Sequence, residues 1–118
     1  MPHRLDGKWN YFEMPDESAN TPGKKDNMIL AIPDSGAVDE DNSSQGDFNR
    51  IDGKATNATL DLVANDDKNK VERTLSGKVV FEKTCNGVEH LVIVGRYKDN
   101  GEAETKAQDE GTWIITKP

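Results

Sequence analysis

Apolar and polar positions alternate along much of this chain with a period of two, and no stretch sustains an apolar repeat every three or four residues. A period of two is the signature of half-buried β-strands, so the pattern predicts an all-β chain with little or no helix. The longest signal lies between Val71 and Tyr97, where two apolar, β-branched runs flank Asn86-Gly87. Asn-Gly favours a two-residue type I′ turn, because both central positions need φ > 0. That turn sets a register with Cys85 opposite Val88, Lys83 opposite His90, Phe81 opposite Val92 and Val79 opposite Val94. The expected core face of this ribbon therefore carries Phe81, Val79, Val92 and Val94. The opposite face carries Val80, Leu91, Ile93 and, further on, Tyr97. An apolar strip left on the outside of a sheet is a common mark of an interface, so these four residues are expected to mediate homodimerisation.

Shorter strands are predicted around this ribbon. Lys8-Trp9-Asn10-Tyr11-Phe12-Glu13-Met14 alternates and is stopped by Pro15, and Met28-Ile29-Leu30-Ala31-Ile32 is stopped by Pro33. Asp47 to Asp52 and Lys54 to Val63 read as a hairpin across Asp52-Gly53, and Gly111 to Lys117 is the last strand. Gly77, with no side chain to pack, suggests a bulge or sharp bend. Residues 102–110 are polar throughout and fit a weak edge strand, a loop or a helical turn. The total is a six- to eight-stranded antiparallel meander forming one domain over residues 1–118, with mobile loops at about 16–27 and 34–46.

Charge changes the picture more than length does. The net charge is −7, and the stretch from Glu13 to Asn49 holds nine acids against two bases, which is the whole excess. A chain of this sign repels phosphate, so nucleic acid and anionic membranes are not expected partners. No apolar run reaches the length of a membrane span. The single Cys85 leaves no internal disulfide and fits a cytoplasmic protein, with a mature secreted chain as the other option.

Leu5-Asp6-Gly7-Lys8-Trp9 at the start, Gly95-Arg96-Tyr97 late in the chain and Gly111-Thr112-Trp113 in the final strand together resemble the calycin group, the lipocalins and avidins. The resemblance implies a small closed β-barrel with room for one ligand. It also implies that Trp9 sits at the closed end with Arg96 packed across it. The second lipocalin motif is absent, and Tyr11 stands where avidins carry a biotin-contacting Asn, which argues against biotin. Trp9, Tyr11, Phe81, His90, Val92 and Arg96 are the expected lining of such an interior, and Glu13 shares the face of Trp9 and Tyr11.

Other constellations carry less. Cys85 and His90 lie near the hairpin tip without a third residue to orient them as a nucleophile pair. Asp41, Ser43, Gln45, Asn49 and Asp52 follow the spacing of a Ca²⁺ loop with Gly46 at the sharp turn, but Asp52 stands where a bidentate Glu is wanted and neither flank reads as a helix. A solvated acidic loop leading into a strand is the favoured account of them, and no metal or cofactor is expected. Asn42-Ser43-Ser44 and Asn57-Ala58-Thr59 match glycosylation acceptors by spacing alone. Three classes follow in order: a barrel binding a small apolar or mixed-polarity ligand, a protein-interaction or oligomerisation module with a filled core, and an enzyme using barrel-lining carboxylates.

Overall fold

A computed structural model describes residues 2–16, 24–101 and 110–117. The strands are β1 (Gly7–Pro15), β2 (Lys24–Leu30), β3 (Ala37–Val38), β4 (Ser44–Gln45), β5 (Arg50–Ala55), β6 (Thr59–Asp66), β7 (Val71–Cys85), β8 (Val88–Gly101) and β9 (Glu110–Lys117). They form one antiparallel sheet in the order β3-β5-β6-β7-β8-β9-β1-β2-β4, curled into a half-barrel. The all-β expectation holds, and the only helical element among the described residues is a 3₁₀ turn at Glu40–Asn42. The strand count exceeds the predicted range because two two-residue strands, β3 and β4, have no alternation to read. Residues 17–23 and 102–109 lie outside the described residues, and with them most of one expected loop and the stretch read as strand, loop or helix.

The segment at 34–46 differs from its expected form as a polar loop. Its strands β3 and β4 occupy opposite ends of the sheet order, so a few residues of chain run from one edge to the other. Asp39 N–H donates to Ala31 O at 2.8 Å, Ile51 N–H to Ser43 O at 3.1 Å, and Ala55 N–H to Gly36 O at 2.8 Å. Val38, Ser43 and Gln45 are buried. Backbone groups that would otherwise be open sheet edges are thus partly satisfied by this seam.

The Asn86-Gly87 turn has φ of 51° and 79°, the type I′ signature, and pairs Cys85 with Val88, Lys83 with His90 and Phe81 with Val92 as expected. Beyond that point a bulge lies between Val79 and Phe81, so Val79 pairs with Ile93 and Gly77 with Gly95. The extra residue, Val80, shifts every later pair by one and returns Val79 to the inner side. On β8 and at Phe81 the buried face is the opposite of the one expected, whereas Val79 packs against the core as expected. Leu75, Leu91, Ile93 and Tyr97 are fully buried, whereas Phe81 is 52% exposed.

Gly77 is not the bulge. A Cβ there would stand 2.7 Å from the Trp113 ring, and one on the facing Gly95 would meet Ser76 O on β7 at 2.1 Å. The β5–β6 hairpin is present, but it turns at 56–58, where Thr56 Oγ1 accepts from the Ala58 and Thr59 amides. Gly53 instead sits within β5 at φ 137°, where a Cβ would meet Asp61 O at 2.0 Å.

Candidate functional site

The concave side is occupied by its own side chains. Trp9, Tyr11, Met28, Leu60, Leu62, Leu75, Leu91, Ile93, Trp113 and Ile115 are each no more than 2% exposed. Both buried indoles are satisfied, Trp9 Nε1 donating to Leu5 O at 3.0 Å and Trp113 Nε1 to Arg96 O at 3.1 Å. The cation over the Trp9 ring is Lys117, 5.4 Å from its centroid, with Nζ donating to Arg4 O and Asp6 O. Arg96, expected there, is on the other face and bonds Asp16 and Thr112. The pleat explains it: Tyr97 and Gly95 point inward, so Arg96 between them points out.

At one end of the concave side lies a buried charged cluster. Arg73 on β7 is 5% exposed and pairs in register with Asp99 on β8, its Nε and Nη2 forking the carboxylate. Its Nη1 donates to Glu13 Oε1 at 2.9 Å and Tyr11 OH at 3.3 Å, both on β1, across the two intervening strands β8 and β9. Its guanidinium lies between the rings of Phe48 and Tyr97, 4.7 and 4.2 Å from their centroids. Burial lowers the Arg73 pKa, but the hydrogen bond to Asp99 and the charges of Glu13 and Asp99 outweigh it and raise the value overall. Burial pushes the Tyr11 phenol well above its usual range, which keeps it neutral. One cation, two carboxylates and a neutral phenol, with four of the five guanidinium donors used, make a cross-sheet tie. Sequence reasoning placed Glu13 on the right face but missed Arg73. The available signal was parity, since Arg73 shares a face with Leu75.

On the convex side the picture reverses. Met14, Ile29, Val80, Phe81 and Val88 are 46% to 59% exposed, and all but the bulge residue Val80 fall on the outward parity of β1, β2, β7 and β8. Half-buried Phe12, Val92, Val94 and Ile114 continue the strip between them. Residues 80–90 form an arm beyond the sheet, because β6 pairs β7 only as far as Lys78 and β9 pairs β8 only from Leu91. Arg4 steadies the arm's base by bonding Glu82 at 2.7 Å, Glu89 at 3.1 Å and Asn57 O at 2.9 Å. A groove of about 540 Å³ runs beside the strip, lined by Thr59, Asp61, Ser76, Lys78, Val94 and Arg96 among others.

The sequence-predicted site residues are thus divided between faces. Trp9 and Tyr11 lie in the core, whereas Phe81, His90, Val92 and Arg96 lie on the convex side and do not line the interior. Of the expected interface, Leu91, Ile93 and Tyr97 are core residues, and only Val80 is exposed. The Ca²⁺-loop candidates do not converge. Ser43 Oγ accepts from the Ala31 amide, Gln45 Nε2 donates to Asp26, Asn49 bonds Asp67 and Asp52 lies within β5, while Asp41 sits exposed in the 3₁₀ turn. No helix among the described residues is long and apolar enough to cross a membrane.

No protein-family model matches the chain, and neither a curated protein nor a solved structure matches it.

Proposed function

We propose that this chain is a non-catalytic protein-interaction module with a filled core, whose working surface is the convex face of the sheet and its projecting arm. The observation that carries this reading is an inversion. Large aromatic and aliphatic side chains fill the concave side, while Phe81, Val88, Met14 and Ile29 are left about half exposed on the other. Exposed apolar residues scattered singly mean little, but a strip shared by adjacent strands is what interfaces present. The calycin-like resemblance enters here as an architectural reading, supported by the curled antiparallel sheet and by the cation that Lys117 lays over Trp9. A small molecule in the interior, the first expectation from sequence, would have to displace Trp9, Tyr11 or Trp113.

Native mass spectrometry of the purified protein tests the choice. The expected result is the bare chain mass together with unchanged Trp9 and Trp113 fluorescence on titration with fatty acids and aromatic small molecules. A stoichiometric small molecule that quenches those indoles would overturn the proposal.

A further inference from the structure

We infer that the convex face takes an acidic segment of a partner protein that carries large apolar side chains; this rests on the interaction-module reading and assigns its partner's chemistry. The assignment comes from charge. Although the chain is strongly acidic as a whole, outward parity on β1, β2, β7 and β8 places Lys8, Lys25, Lys78, Lys83, Arg96 and Lys98 on the convex face, all exposed. Against them the outward positions of the same strands and β9 hold Glu72 and Glu110. Arg96 is bonded to Asp16, and Asp61 lines the groove, so the positive field centres on Lys78, Lys83 and Lys25. These three flank Phe81, Val92, Val94, Ile114 and Phe12, with Lys78 and Lys25 at the two ends of the row Lys78–Val94–Ile114–Phe12–Lys25. An acidic chain lying along that row would set its apolar side chains on the strip and in the groove and its carboxylates on the lysines.

The same arithmetic disfavours the other occupants. A second copy packed about a two-fold axis would bring the lysine-flanked face against itself, and like charges across an interface are repulsive. An anionic membrane would attract this face but repel the acidic excess carried between Glu13 and Asn49.

The test uses the full chain labelled for NMR and three probes: a soluble peptide alternating glutamate with leucine and phenylalanine, the same peptide with lysine for glutamate, and phosphatidylserine-containing vesicles. The glutamate peptide is expected to bind saturably, to shift the amides of Phe81, Val92, Val94 and Ile114, and to weaken as salt is raised. Lys78→Glu combined with Lys83→Glu should weaken it about tenfold or more, as should Phe81→Ser, with the buried Trp9 and Trp113 indole signals unmoved to show an intact fold. Binding of the lysine peptide or vesicles at the same amides with equal or greater strength would overturn the acidic assignment while sparing the interaction face. So would concentration-dependent dimerisation through those residues, or binding that the lysine reversals leave unchanged. Failure of every probe to perturb the convex amides would overturn both readings.

Discussion

Replacing Arg73 with Met is the sharpest test of how the half-barrel is held together. The substitution keeps a long unbranched side chain between Phe48 and Tyr97 but removes the cation, so the loss is electrostatic more than steric. It leaves the Glu13 and Asp99 carboxylates, whose side chains are 11% and 16% exposed, without a counter-charge. Removing one partner of a buried ion pair costs about 3–5 kcal/mol, because the remaining charge keeps its desolvation penalty. Against a total stability of about 5–15 kcal/mol for a domain, that leaves the variant marginal. Urea unfolding followed by the emission of buried Trp9 and Trp113 would read it as a midpoint lowered by about 2 M, for an m-value of about 2 kcal/mol/M. Adding Glu13→Gln and Asp99→Asn should return at least half of the loss, since the orphaned charges are then gone. An Arg73→Met variant within about 1 kcal/mol of the parent, or a triple variant no better than the single, would refute the tie as a stabilising element.

The remaining predictions address the core face, the glycine pair and the charged groups. Ile93→Ala should cost about 2–5 kcal/mol and Phe81→Ala within about 0.5, and the reverse order in thermal melts would restore the face expected from sequence. Gly77→Ala should destabilise by about 1–3 kcal/mol because its Cβ would crowd the Trp113 ring, and Trp113→Leu in the same chain should reduce that penalty. Asp67 is held down to about 2 by hydrogen bonds from Arg50 and Asn49, and Asp16 is lowered by Arg96. Such depressed carboxyls contribute stability that is present above the ordinary 3.8 and is lost as pH falls through their folded values, so acid titration of Arg50→Gln should show a shallower loss than the parent. Tyr11 works at the other end: its raised pKa gives stability that is intact below 10.0 and declines above it, and Tyr11→Phe should flatten the alkaline limb.

Much of the fold was legible because strands announce themselves locally. The Asn86-Gly87 turn, the hairpin-tip register and the strands at Gly7–Pro15 and Glu110–Lys117 each follow from a turn residue or a run of alternation within a dozen positions. The face that would be buried was not legible in the same way. Both faces of the β7–β8 ribbon carry large apolar side chains, and the choice between them is made by Leu62, Ile115 and Trp113 on other strands. The Val80 bulge compounds this, since a single unpaired residue leaves no mark in composition yet moves Val79 from the partner Val94 to Ile93. The seam at 34–46 was hidden for a related reason: its strands are two residues long, and its hydrogen bonds go to Ala31, Ile51 and Ala55 at both ends of the sheet.

The surface proposed to act was hidden by an average. Net charge sums over a chain, whereas a partner meets one face, and a period of two can sort charges between faces without altering the sum. Lys78, Lys25 and Lys8 share outward parity with Val94, Phe12 and Ile29, while the inward positions of the same strands hold Trp9, Tyr11, Glu13 and Arg73. The acids that set the sign of the whole molecule are concentrated elsewhere, and Asp39, Glu40, Asp41 and Asp47 lie on or beside the seam joining the outermost strands. A chain can therefore carry an acidic total and still present a cationic, apolar strip on one face. Both properties come from one alternation, because the step that turns Ile93 into the core turns Val92 and Val94 toward the lysines.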